Sequence, residues 1–237
     1  MPDPRQALGG LVDNLSCRRR LGLPLVEGGP AQLERLLALA TGAPLPAAPA
    51  PLDMQAPTLE ALALALNDCR RCDLHQGRKR VVFGAGPADA ALMIIGEAPG
   101  AQEDQAGLPF VGPAGQLLER MLAAVGLKRQ EVYITNLVKC RPPKNRDPLP
   151  VEAATCRPFL EAQVTALAPR VILALGRPAC QALLASDAPI GALRGAWRQF
   201  MGIPLMPTFH PAYLLREPAR KAEAYRDLKE LAKALRD

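Results

Sequence analysis

The chain has 237 residues, of which 49% are hydrophobic and only 4% aromatic, and its formal net charge is +6. That length allows one good core plus an extension, and the balance excludes a fibrous or wholly disordered chain. The uncharged run 36–52 carries prolines at 44, 46, 49 and 51, so it cannot span a bilayer as a helix.

Residues 1–41 read as a helical N-terminal appendage, two short pieces parted at Glu27-Gly-Gly-Pro30. Their first residues are polar and no apolar segment follows, so no secretory leader and a cytoplasmic location are expected. Residues 42–57 are rich in Ala and Pro and read as an extended, semi-rigid linker. From Thr58 the pattern becomes regular and predicts one domain over 58–237. A helix capped by Thr58 comes first. Four apolar runs of strand length follow: Ala91–Ile95, Val132–Leu137, Val171–Leu175 and Pro204–Thr208. Helical patterns separate or follow them at Gly115–Val125, Pro150–Leu167, Arg177–Leu184 and Pro218–Leu235. Strands alternating with helices imply a parallel sheet, and continuous apolar strands imply burial on both faces. The expected fold class is α/β, a three-layer α/β/α sandwich with a four-stranded parallel sheet.

The loop after the first strand is unusually well equipped. It offers glycines for close backbone approach, carboxylates at Glu97, Glu103 and Asp104, and one aromatic residue, Phe110. Loops at the carboxyl ends of strands are where such sheets bind ligands. The other strand ends add Asn136, whose planar amide can read a nucleobase edge, and His210, one of two histidines, placed before Pro211. Leu214-Leu-Arg216 has the makeup of an apolar wedge beside a basic residue. Arg70, Arg71, Arg78, Lys79, Arg80, Lys139, Arg141, Lys144 and Arg146 cluster near these loops as candidate phosphate contacts, in keeping with the positive charge and a polyanionic partner.

Cys69 and Cys72 form a CxxC pair; Cys140 follows after 67 residues and Cys156 after 15 more. Four thiolates suit zinc or an iron–sulfur cluster, and the spacing leaves both open beside a simple redox pair. Cys180 lies in an apolar helical run and reads as a buried small hydrophobe. Cys17 belongs to the appendage.

Gly96-Glu-Ala-Pro-Gly100, Pro109-Phe-Val-Gly112, Asn136 with Lys139-Cys-Arg-Pro-Pro143, His210-Pro211 and the four cysteines closely resemble the family 4 uracil-DNA glycosylases. The resemblance covers residues 58–237. It implies a monofunctional DNA repair enzyme, a monomer that flips uracil out of single- or double-stranded DNA and hydrolyses its N-glycosidic bond. It implies that Cys69, Cys72, Cys140 and Cys156 hold a structural [4Fe–4S] cluster. Phe110 would stack on uracil, Asn136 would read its edge, and Glu97 and Ala98 would line the pocket. His210 would stabilise the departing base, and Glu97 and Glu103 are the candidates for orienting water. Ala98 stands where other branches place Asp or Asn, and the loop around Phe110 lacks a DNA-trapping His. The alternatives are a non-catalytic iron–sulfur DNA-binding module of the same fold and a zinc-stabilised nucleotide-binding protein.

Overall fold

A computed structural model describes residues 58–236; the expected appendage (1–41), the linker (42–57) and Cys17 lie outside the described residues. The chain from Thr58 opens with helix α1 (Leu59–Leu66), whose first turn is closed by the Thr58 hydroxyl accepting the Ala61 amide at 3.2 Å. Strand β1 (Leu92–Gly96) leads through the short helix α2 (Ala101–Ala106) to α3 (Pro113–Ala123). Then come β2 (Tyr133–Asn136), α4 (Pro150–Leu167), β3 (Val171–Leu175), α5 (Arg177–Leu184) and the single turn α6 (Ile190–Leu193). Strands β4 (Arg198–Phe200) and β5 (Ile203–Thr208) and helices α7 (Pro211–Arg216) and α8 (Lys221–Arg236) complete the domain.

Among the described residues the sheet has five strands in the order β2-β1-β3-β5-β4. The four expected strands are parallel, and β4 adds an antiparallel edge paired to β5. The four-strand expectation is thus corrected by one short strand. Its Arg198 and Gln199 are exposed and only Phe200 is buried, so it carries no apolar signal.

Every residue of β1 and β3 is buried because helices cover both faces. Met93, Ile95, Ile172 and Ala174 meet Leu160 and Val164 of α4 and Cys180 of α5. Ile94, Leu173 and Leu175 point the other way, onto Leu118 and Leu122 of α3 and Leu231 of α8. This period-two split is the three-layer sandwich written in side chains. From β1 the chain moves outward to β2, then crosses back to β3 on the other side. The strand order therefore reverses between β1 and β3, where the loops separate and leave a crevice. No helix among the described residues is long and apolar enough to cross a membrane.

Candidate active site

The crevice is a cavity of about 620 Å³ at the carboxyl edge of the sheet, and all four parallel strands contribute to its wall. Glu97 and Ala98 follow β1, Asn136 ends β2, Arg177 follows β3 and His210 follows β5. Glu103 and Phe110 enter from the loop between β1 and α3. Every candidate pocket residue of the sequence therefore converges here.

Phe110 is held in a conformation that its residue type avoids. Its φ is +52° and its ring is buried, and a left-handed backbone on a bulky residue persists only where the surroundings enforce it. Arg129 enforces it from one side, its Nη1 donating to the Phe110 carbonyl at 2.7 Å and its Nη2 to the Pro109 carbonyl at 2.5 Å. Glu103 enforces it from the other: its Oε1 accepts the amides of Val111 and Gly112 at 3.0 and 2.9 Å. Gly115 clears the space, since a Cβ there would run into the Phe110 carbonyl.

Asn136 lies beside this ring. It is 1% exposed, and its Oδ1 is the buried side-chain oxygen without a partner among the described residues. Gly96 lets the two groups meet: a Cβ there would collide with Asn136 Oδ1 and stand 2.7 Å from the Phe110 ring. The backbone carbonyl of Asn136 accepts Lys139 Nζ at 2.7 Å, and Thr135 Oγ1 accepts the same ammonium at 2.6 Å. Lys139 is fully buried, so the expectation of a phosphate contact is corrected: this lysine braces the end of β2. Burial pushes its ammonium down to about 7.

The ring of His210 stands 5.5 Å from that of Phe110, centroid to centroid. Its Nδ1 accepts the Ala212 amide at 3.1 Å and thereby caps α7. Burial, assisted by the Arg216 charge and opposed by Glu103, lowers the imidazole to about 4, so the ring is neutral at pH 7. Behind it, Thr208 Oγ1 donates to Asp227 Oδ2 at 2.6 Å, and Asp227 pairs with Arg194. Glu97 is shifted the opposite way, up to about 7, first by burial and then by the charge and hydrogen bond of Asp147, while Arg177 opposes.

The remaining candidates divide. Leu214 is fully buried and packs with Phe209 and Leu117, which corrects its place in the wedge; Leu215 is exposed. Arg146 forks onto Glu152 at 2.7 and 2.8 Å, and Arg71 lies over the Phe159 ring. Arg78 donates to the Cys69 carbonyl and to Cys140 Sγ at 2.5 and 3.3 Å. These arginines serve the protein itself. Arg129, Asp147 and Arg177 were missed by sequence reasoning, and nothing local marks them: the partners that tie them to the site lie 19 to 50 residues away.

Cys69, Cys72, Cys140 and Cys156 lie within electrostatic reach of one another. Burial pushes the thiols of Cys72 and Cys156 up to about 11 and that of Cys140 upward. Leu74 and Lys139 turn backbone amides toward Cys72 and Cys156, as Arg78 turns its guanidinium toward Cys140. Among the described residues no three His, Cys, Asp or Glu side chains meet tightly enough to grip a single ion. Cys180 is buried elsewhere, its Sγ 3.5 Å from the Ala174 carbonyl, as expected.

Residues 83–231 match the model of the uracil DNA glycosylase superfamily, and that is the class to which this fold and its pocket belong. The chain is 43% identical over 178 residues to the type-4 uracil-DNA glycosylase of Pyrobaculum aerophilum, covering 72% of this chain and 91% of that one. It is 40% identical over 182 residues to the type-4 enzyme of Archaeoglobus fulgidus, covering 73% and 92%. With the type-4 enzyme of Thermotoga maritima it shares 44% over 160 residues, 67% and 83% of the two chains. The chain belongs to the type-4 uracil-DNA glycosylase family.

Proposed function

We propose that this protein removes uracil from DNA by hydrolysing the N-glycosidic bond, leaving an abasic site. The observation that carries the reading is the partnerless Oδ1 of Asn136, buried beside the Phe110 ring. A buried acceptor left unmade costs about 1–3 kcal/mol. A uracil stacked on Phe110 supplies the missing donor through N3–H, while Asn136 Nδ2 donates to O4. Cytosine presents the reverse pattern and leaves both groups unpaired.

The base must leave the duplex to reach this cavity. Leu215, exposed on α7 beside Arg216, is the apolar side chain placed to fill the gap. As the bond breaks, negative charge grows on the base, and the neutral His210 donates from Nε2 to it. Such a donor costs no charge separation in the ground state and stabilises the transition state selectively. Glu97 orients the water that captures the sugar cation, and Ala98 lines the wall. Glu103 acts by fixing the loop that carries Phe110.

The four cysteines fit a [4Fe–4S] cluster better than a single ion, because in such a cluster each thiolate takes its own iron. The amide and guanidinium donors around them are the hydrogen bonds that coordinated sulfurs accept. Bound there, a cluster would supply structure, with Cys69 and Cys72 tied to Cys140 on the loop after β2. Catalysis belongs to residues 58–237, and a chain starting at Pro57 retains uracil excision within a few-fold. The decisive assay is cleavage of a uracil-containing oligonucleotide after alkali, with cytosine and thymine oligonucleotides uncut. An intact uracil strand overturns the reading.

A further inference from the structure

One contact on the cavity wall is not used by these roles. Asp147, on the loop before α4, accepts Arg177 Nη2 on Oδ2 at 2.8 Å. Its carboxylate also shares a hydrogen bond with Glu97. Glu97 and Asp147 lie on the loops that leave β1 and β2, and Arg177 opens α5 just after β3, so the contact spans the switch point of the sheet.

Two carboxyl groups share a hydrogen bond only when one of them keeps its proton. Arg177 decides which one. Its guanidinium lies on Asp147, which leaves the shared proton on Glu97, the more buried of the two. Asp147 is itself exposed, but its backbone is fixed. Arg146 Nη1 donates to its carbonyl at 3.0 Å, and Arg146 and the Leu149 amide are both anchored on Glu152. The other charged or titratable groups on the cavity are engaged or turned to another task. Glu103 accepts two amides, Arg146 holds Glu152, Arg216 acts on the neutral His210, and Tyr213 is hydrogen-bonded with Arg220.

We propose that Asp147, held by Arg177, is a positioning residue for Glu97, keeping its proton in place and making uracil excision rise with pH. The inference rests on the reading of Glu97 as the residue that orients water. Glu97 is lifted to about 7 by burial and then by Asp147. An acid so raised is protonated below neutrality and becomes a base above it. Excision is therefore weak in mild acid and reaches a plateau on the alkaline side. Arg177 tempers the effect by neutralising part of the Asp147 charge.

The test uses the full chain, with carboxyl-¹³C glutamate read by NMR and single-turnover excision measured across pH 5 to 9. The Glu97 signal is identified by its loss in Glu97→Gln. In the unaltered protein the Glu97 midpoint and the rate midpoint should coincide near 7. Asp147→Asn removes the like charge and offers an amide donor to the Glu97 carboxylate, so both midpoints should fall by about a unit or more. Arg177→Gln removes the opposing charge and should move both upward. A Glu97 signal unmoved in Asp147→Asn overturns the proposal directly. A signal that moves while the rate profile stays fixed overturns it through the reading on which it rests.

Discussion

The Nδ1 of His210 and the backbone amide of Ala212 stand 3.1 Å apart, and this one contact sets the tautomer of the imidazole. A nitrogen that accepts an amide proton carries none of its own. In the neutral ring the proton therefore sits on Nε2. The same contact closes the first turn of α7, so structure and chemistry share a single hydrogen bond.

His210→Ala should lower the single-turnover rate of uracil excision by roughly 10²–10³, with binding of uracil-DNA largely retained. The lost cap should also cost about 1 kcal/mol of stability. His210→Asn separates the two effects: its side-chain oxygen can cap Ala212 and restore Tm, but the rate stays low. Rapid-quench kinetics, fluorescence anisotropy and thermal melts of both variants check this. A normal rate with weakened binding in His210→Ala would move the residue from catalysis to loop support.

The depressed His210 also gives a signed pH effect on stability. A histidine lowered from its ordinary value to about 4 stabilises the fold as a neutral group. That contribution is complete above the unfolded value of about 6.5 and is lost as pH falls through 4. Thermal melts between pH 7 and 4 should therefore show a decline that is smaller in His210→Asn, which has nothing to titrate there.

Phe110 depends on a residue far from it in sequence. Arg129 binds two consecutive carbonyls, those of Pro109 and Phe110, and hydrogen bonds to a charged group are each worth about 1.5–3 kcal/mol. Arg129→Met keeps the bulk of the stem and removes both bonds. It should release the left-handed turn and weaken uracil-DNA binding about tenfold, with a lower Tm. Gly115→Ala should do more damage, because its Cβ meets the Phe110 carbonyl itself.

These cases show what the sequence could and could not disclose. Strands β1, β3 and β5 were legible because burial on both faces demands unbroken apolar runs. Helices α4 and α5 were legible to the residue because Pro lies in the first turn of each and the apolar spacing persists. Helix α2 was hidden: its six residues, Ala-Gln-Glu-Asp-Gln-Ala, are mostly polar and look like loop. Asn136 and His210 were legible as polar residues at the ends of apolar runs. The bond from Arg129 to Phe110 and the one from Arg177 to Asp147 were not, since only the tertiary fold brings those loops together. Lys139 misled for a related reason. A lysine beside a cysteine in a basic stretch looks like surface, and only the Thr135 hydroxyl and Asn136 carbonyl explain why it turns inward.

The cysteines supply a comparison within one chain. Cys72 sits among three other thiols, whereas Cys180 packs alone against the Ala174 carbonyl. In the proposed four-thiolate site, removal of one ligand should loosen all of the metal, since metal binding is coupled to folding. Cys72→Ala should lose the brown absorbance near 400 nm and much of the soluble yield. Cys180→Ala should keep iron and colour and lose only a small amount of packing energy, about 1 kcal/mol. Full iron content in Cys72→Ala would contradict the assignment of the four-thiolate site.

The last prediction concerns how Asn136 discriminates between bases. Its Oδ1 has no partner and its side chain is enclosed by Phe110 and Gly96, so an incoming base must match both ends of the amide. Asn136→Asp keeps an acceptor but removes the Nδ2 donor proposed to meet O4 of uracil. Uracil excision should fall by roughly 10- to 100-fold, the value of one strong hydrogen bond in a closed site. In its protonated form the introduced carboxyl group can pair with cytosine, yet its ionised form must first be stripped of water in a buried place. The share of cytosine excision relative to uracil should therefore be largest at low pH, where the acid is neutral, and fall as pH rises. Competition between uracil and cytosine oligonucleotides at pH 5.5 and 8 measures the change. Unaltered preference at both pH values would show that selection against cytosine lies elsewhere in the cavity, and that the unpaired oxygen serves another group.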